Sequence, residues 1–424
     1  MKTRIVVLKT EGRARTASLF VLSVLLLPFA LPRPALAAGG DLDTSFGGNG
    51  KVTTSFPDGA YANAVAIQTD GKIVAAGGTG VEFALARYDA NGALDATFGT
   101  DGKVTTGFTN GGSANAVAIQ SDGKIVAAGI SGEEFALARY DTGGALDPTF
   151  GTDGIVTTDL STGWDEAKGV AIQGNGKIVA AGLAKPGNPW RPWFALARYR
   201  SDGTLDTSFG DGGTVLTKFG VSGEGRAIVL QPDHKIVVAG TNGGGFALAR
   251  YDSDGSLDPS FGKGGKVATL LPGEAPGRAY AVALQPDGKI VAAGSYDFYL
   301  FAIARYKVHG GLDRTFGDDG FAITDVGQGG EQWVSGLLIQ PNGKIVAAGS
   351  EGPHEGGESP PRFVVTRYRV NGVPDTTFGG GDGKVITKFK NGATAGGVAA
   401  QADGKIVVVG NGAWGSFALA RYLA

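Results

Sequence analysis

Apolar and polar positions along the chain repeat one pattern. A short apolar strand ends in glutamine, a polar turn closed by glycine follows, and then comes a second strand, IVAAG-like, with no polar residue. The pattern is clearest at Ala64 to Gly77 (AVAIQTDGKIVAAG) and returns at Ala116 to Gly129, Gly169 to Gly182, Ala227 to Gly240, Ala281 to Gly294, Gly336 to Gly349 and Gly397 to Gly410. Two such runs about a tight glycine turn form a β-hairpin. In the fourth copy His234 replaces the turn glycine, and histidine is among the side chains enriched at positive φ. A third strand, FALARY or a close variant, begins at residues 83, 135, 194, 246, 301, 363 and 417. After all but the last comes another glycine turn and an LDxxFG segment, which this reading takes as a fourth strand.

Strands apolar on both faces need a layer on each side, and successive closing glycines lie 52 to 61 residues apart. Seven four-stranded antiparallel units predict an all-β, seven-bladed β-propeller. A parallel β-helix would use shorter coils without these hairpins. The chain opens with an orphan LDTSFG, Leu42 to Gly47, and stops after Phe417 to Tyr422 (FALARY). Residues 41–47 are therefore expected to close the ring as the outermost strand of the last blade, removing exposed edges. Arg87, Arg139, Arg198, Arg250, Arg305, Arg367 and Arg421 recur in step with Asp43, Asp95, Asp147, Asp206, Asp258, Asp313 and Asp375. This register predicts structural ion pairs, Arg87 with Asp95, Arg139 with Asp147, and Arg421 with Asp43 across the seam.

The segments Gln285 to Gly294 (QPDGKIVAAG) and Phe246 to Gly262 (FALARYDSDGSLDPSFG) carry a resemblance to the delta-60 repeat family of exported bacterial β-propellers. The likeness extends over residues 42–424. It implies a propeller and export, and brings no catalytic residue to carry over. The hairpin order is also similar to that of NHL-type propellers.

Net charge is −2 over 424 residues, so no basic surface points to nucleic acid. Lys2, Arg4, Lys9, Arg13 and Arg15 precede an apolar run from Leu19 to Leu31, and Ala35-Leu36-Ala37 follows. That order predicts a signal peptide over 1–37 and a mature single-domain propeller over 38–424, without a membrane span, in the periplasm, at the cell surface or outside the cell. The chain has no cysteine, which excludes disulfides and thiolate metal sites.

Departures from the repeat gather in the links between second and third strands and between blades, which open on one face, while the two glycine hairpins open on the other. All five tryptophans, Trp164, Trp190, Trp193, Trp333 and Trp414, are assigned to the variable face, outside the core strands. Indoles there offer flat platforms for sugar rings or peptide side chains. At the start of each inner strand stand Asn63, Asn115, Lys168, Arg226, Tyr280, Ser335 and Gly396, a polar ring read as free of carboxylates and suited to an anionic or hydroxyl-rich ligand. Glu166 and Glu224 stand two residues from Lys168 and Arg226 and could neutralise them.

No metal or cofactor is expected. The calcium-loop-like DANGALD and DSDGSLD lose their first acid to Arg200, Lys307 and Arg369 in other blades. His234, His309 and His354 lie in different blades and assemble no triad. The reading is a binding module for a carbohydrate, an extracellular polymer or a protein, with no assigned catalytic residue. Its alternatives are a polysaccharide hydrolase or lyase using Asp165, Glu166, Glu274 or Glu331, and a purely structural surface protein.

Overall fold

In IVAAG and FALARY, large and small side chains alternate, and the alternation decides how the sheets stack. One face of the first blade presents Ile73, Ala75, Ala84, Ala86 and Tyr88 to Val407, Val409, Phe417 and Leu419 of the last blade. Its other face presents Val74, Ala76, Phe83 and Leu85 to Ile125, Ala127, Ala136, Ala138 and Tyr140 of the second. Alanine-rich faces thus receive bulkier ones, so that large side chains meet small ones across each interface. The computed structural model describes residues 38–187, 191–327, 330–354 and 360–424. The signal peptide predicted over 1–37 lies outside them. The described residues form seven four-stranded antiparallel sheets. Neighbouring inner strands pack in sequence, and Tyr61–Ile67 of the first blade meets Ala393–Ala400 of the last. The result is a seven-bladed β-propeller around a central channel.

The outermost strand differs from the one expected. In the first blade it is Lys103–Gly107, paired to Glu82–Tyr88, while LDxxFG forms a turn. The Asp95 carboxylate accepts from the Thr97 amide at 3.1 Å and its hydroxyl at 2.7 Å, bending the chain. Phe98 then tucks beneath the Arg87 guanidinium, 4.6 Å from ring centre to guanidinium carbon. The link from third to outer strand is therefore long, residues 89–102, rather than a short hairpin. At the seam the same substitution holds. Lys51–Ser55, not 41–47, is the outer strand of the last blade, from Lys51 opposite Ala420 to Ser55 opposite Ser416. Residues 42 and 43 still reach the last blade, through a bridge between Leu42 and Tyr422 and the contact of Asp43 Oδ2 with Arg421 at 2.9 Å.

Every blade carries this arginine and aspartate in contact, including Arg87 with Asp95 at 2.8 Å and Arg139 with Asp147 at 2.9 Å. The lysine of the hairpin turn joins each aspartate, as Lys177 does Asp206 at 2.7 Å. Six of the arginines also donate to a turn carbonyl of the next blade, Arg87 to Thr142 and Arg421 to Ala90 among them. The seventh, Arg367, faces the blade whose turn is formed by the two ends of the propeller. A second tie is the buried tyrosine ending each third strand, whose hydroxyl donates to a threonine of the preceding blade, as Tyr140 does to Thr106 at 2.8 Å. These ties hold neighbouring blades at fixed spacing, and so fix the aperture of the channel.

Candidate binding site at the channel mouth

Each inner strand breaks register with its neighbour near its start, and the extra residue there belongs to the predicted ring. Asn63, Asn115, Lys168, Arg226, Tyr280, Ser335 and Gly396 each fall in the one-residue slip of a β-bulge. The bulge explains the closing glycine of IVAAG. A Cβ on Gly77 would lie 1.8 Å from the Tyr61 carbonyl oxygen, and one on Gly129 would lie 1.9 Å from that of Ser113. These glycines serve close approach, whereas Gly71 in the hairpin turn serves a φ of +85° and His234 takes that place at +67°.

The seven bulge residues converge on a cavity of about 560 Å³ at the mouth of the channel, together with Glu331, Trp333, Thr394 and Asn411. A further cavity of about 200 Å³ shares the ring residues, and Val65, Val117, Val170, Ile228, Val282, Leu337 and Val398 also line it. The polar ring is thus followed along the inner strands by an apolar row.

Hydrogen bonds tie much of the ring to the blade ahead. Asn63 donates to the Ala114 carbonyl at 2.9 Å, Asn115 to the Ala167 carbonyl at 2.9 Å and to Glu166 at 3.0 Å, and Ser335 to the Ala395 carbonyl at 2.7 Å. Carboxylates stand beside the ring and make the two pairs that the sequence spacing allows. Glu166 pairs with Lys168, and Glu224 meets Arg226 at 2.5 Å. Arg226 also lies over the Tyr280 ring at 5.0 Å. With both cations matched and Glu331 on the wall, the mouth offers no excess positive charge to an anion.

The sixth blade stands taller than the others. Its inner strand is Gly330–Ile339 and its second is Ile345–His354. A second register break sets Gly352 and Pro353 of the second strand opposite the single Glu331, and Glu331, Trp333 and Ser335 follow at alternate positions on one wall of the cavity.

The tryptophans do not act together. Trp333 lies within a strand and lines the mouth, and Trp193 begins the strand Trp193–Tyr199, so both correct the expectation that all five sit outside strands. Repeat statistics hid this because both strands run past the repeat boundary. Trp164 lines a neighbouring cavity and donates to Glu166 at 3.4 Å. Trp193 has Lys218 5.6 Å above its ring, and Trp414, 89% exposed, tips the last blade at a φ of +62°. Trp190 lies outside the described residues.

The four acids of the hydrolase alternative are also dispersed. Asp165 is fully buried and accepts from the Leu160 and Ser161 amides and the Ser161 hydroxyl. Burial raises its pKa despite those bonds. Glu274 sits in a short 3₁₀ turn, Pro272–Glu274, and Glu166 is held by Lys168. Glu331 is the acid that lines the mouth. Among the described residues no cluster of three or more histidine or carboxylate groups is placed to hold a metal, and no helix is long and apolar enough to cross a membrane.

A seven-bladed ring with its variation at one channel mouth defines a β-propeller domain, and its sequence assigns it further. The chain belongs to the β-propeller family described as domain of unknown function DUF5122, whose model matches residues 68–98, 120–150, 173–209, 231–261, 285–316, 340–378 and 401–424. Among curated protein sequences none matches.

Similar solved structures include virginiamycin B lyase from Staphylococcus aureus in a catalytically inactive form with quinupristin. It shares 11% identity at a TM-score of 0.54, covering 88% of this chain and 99% of that one. The selenomethionine form of the same lyase gives 11% identity and a TM-score of 0.53, over 88% of this chain and 98% of that one. A protein of unknown function from Bacteroides caccae gives 12% identity and a TM-score of 0.45, over 75% and 99%. At such identities the likeness to the lyase is one of fold.

Proposed function

We propose that this chain is an exported propeller of the delta-60 repeat kind that works as a binding module, taking a carbohydrate at its channel mouth. The observation that carries the reading is the convergence of bulge-borne amides and a hydroxyl, from Asn63, Asn115 and Ser335, beside the indole of Trp333 around one open cavity. Amide and hydroxyl groups match sugar hydroxyls, and an indole offers the apolar face that a sugar ring stacks on. Neutralised cations favour an uncharged ligand over an acidic one. Glycoside hydrolysis needs two carboxylates flanking one bond. The burial of Asp165 and the pairing of Glu166 speak for binding over turnover. Export rests on the sequence of residues 1–37, and mass spectrometry of the secreted protein should find Ala38 at its start.

The test of binding is a glycan array probed with wild-type protein and with Trp333→Ala. Binding to a neutral glycan, weakened at least tenfold in the variant at an unchanged melting temperature, is expected. Absence of any glycan signal, or an unaffected variant, would remove the reading.

A further inference from the structure

The mouth cavity does not end at the ring. Asn63 and Asn115 also line a second cavity of about 530 Å³ over the first to third blades, whose walls include Tyr61, Asn110, Ser113 and Trp164. Asn110 is shared again with a third cavity of about 680 Å³ along the second blade, lined by Phe108, Thr109, Glu134 and part of the outer strand Ile155–Thr158. The shared asparagines set the three cavities side by side in one row, a trough of adjoining spaces from the channel axis across the variable face and down the flank of the disc. Gly80, Gly111, Gly112 and Gly132 line its middle part and raise no side chain into it.

Three features restrict what could lie there. Neither outer cavity has a lysine or arginine among its lining residues, and Glu134, Asp153 and Glu166 contribute negative charge. Glu166 is balanced by Lys168 and Lys185 lies over the Trp164 ring, but no row of cations lines the path, so a polyanion finds little to hold it. Aromatic rings recur along the path, Trp333 at the mouth, Trp164 in the middle and Phe108 toward the flank. Between them Asn63, Asn115, Asn110 and Ser113 supply amide and hydroxyl groups. A ligand matched to this alternation presents apolar faces at intervals, with uncharged hydrogen-bonding groups throughout.

We propose that the trough holds an extended neutral glycan, several sugar units long, with one part seated at the mouth and the remainder leaving over the second blade. The inference rests on the carbohydrate reading above and adds length and direction to it. A trough that runs off the disc accepts the middle of a chain as well as its end, so the ligand class is a linear polymer.

The test is calorimetry with neutral oligosaccharide ladders, the cello-, manno- and malto-series from two to eight units. The dissociation constant should fall at least tenfold from the shortest to the longest member of one series. Asn110→Trp, at an exposed position that joins the two outer cavities, should abolish that gain while leaving disaccharide affinity unchanged. Thr109→Trp, also exposed, provides an independent obstruction should the first variant fold poorly. Equal affinity for short and long chains would overturn the trough and leave the mouth site standing. Loss of disaccharide binding with either obstruction, in a folded protein, would also overturn it. No binding by any series, together with a silent array, would remove the carbohydrate reading as well. Length-dependent binding of a peptide or polyanion blocked by Asn110→Trp would overturn the glycan assignment.

Discussion

Replacing Asp43 with asparagine should loosen the ring at its seam. Asp43 lies at the start of the arm that closes the last blade, and its carboxylate takes Arg421 at 2.9 Å, Lys405 at 3.2 Å and the hydroxyl of Ser45 at 2.7 Å. Burial alone would raise its pKa, but Ser45, Lys405 and Arg421 together outweigh burial and pull it from 3.8 to about 2. The difference corresponds to about 2 kcal/mol of stability at neutral pH. Asparagine keeps the shape but leaves Arg421, whose side chain is 2% exposed, without its counter-ion. The loss should therefore come to about 3 kcal/mol, the lower end for removing one partner of a buried pair. With an unfolding entropy of about 0.8 kcal/mol/K for a propeller of roughly 380 residues, the melting temperature should fall by about 4 °C.

Hydrogen exchange should locate the damage. Amides of Lys51–Ser55 should exchange faster, while the equivalent Lys103–Gly107, covalently continuous with its own blade, should not change. The pH dependence has a definite sign. A carboxyl depressed in the folded state stabilises above its unfolded pKa, and the contribution is lost as pH falls from about 4 to about 2. The gap between wild type and variant should narrow over that window. A melting temperature unchanged at pH 7, or a gap that stays constant down to pH 2, would refute the reasoning.

Gly129→Ala should cost about 3 kcal/mol in urea unfolding, because its Cβ would meet the Ser113 carbonyl oxygen at 1.9 Å and displace the bulge that carries Asn115. Gly174→Ala, where a Cβ meets nothing within 4 Å, should change the same midpoint negligibly. Tyr140→Phe should lose about 1 kcal/mol by leaving Thr106 unpaired between blades, and adding Thr106→Val should recover most of it in the same assay.

Much of the propeller is legible in the sequence. Three strands of every blade follow from apolar runs and turn glycines, and the register of FALARY against its glycine turn placed arginine opposite aspartate. The outer strand differs from the expected one for a physical reason. In LDxxFG the apolar ends are a plug, with Phe98 fully buried under Arg87, and not the alternating face of a strand. In KVTT the signal is weak, since Thr54 is buried only where Tyr88 reaches it at 2.8 Å. The Asp-x-Thr spacing, which favours a side-chain-capped turn, was the clue available.

The ring at the mouth could be aligned by position, but not its reason. The bulge leaves a trace in sequence, a glycine ending IVAAG in every repeat, and that glycine reads like any turn glycine until its distance to a carbonyl is known. Neutralisation of Lys168 and Arg226 depends on side chains two residues away turning back toward them. The prominence of Trp333 depends on the one blade whose inner strands outgrow the repeat, where a second bulge, in the facing strand, lies opposite Glu331.

Whether the channel mouth is a sugar site is tested most directly by a crystal structure of the protein with the best-binding oligosaccharide from the array. One sugar ring stacked on Trp333, with its hydroxyls within hydrogen-bonding distance of Asn63, Asn115 or Ser335, is the predicted result. A sugar lodged among the hairpin turns of the opposite face, near His234, would contradict it.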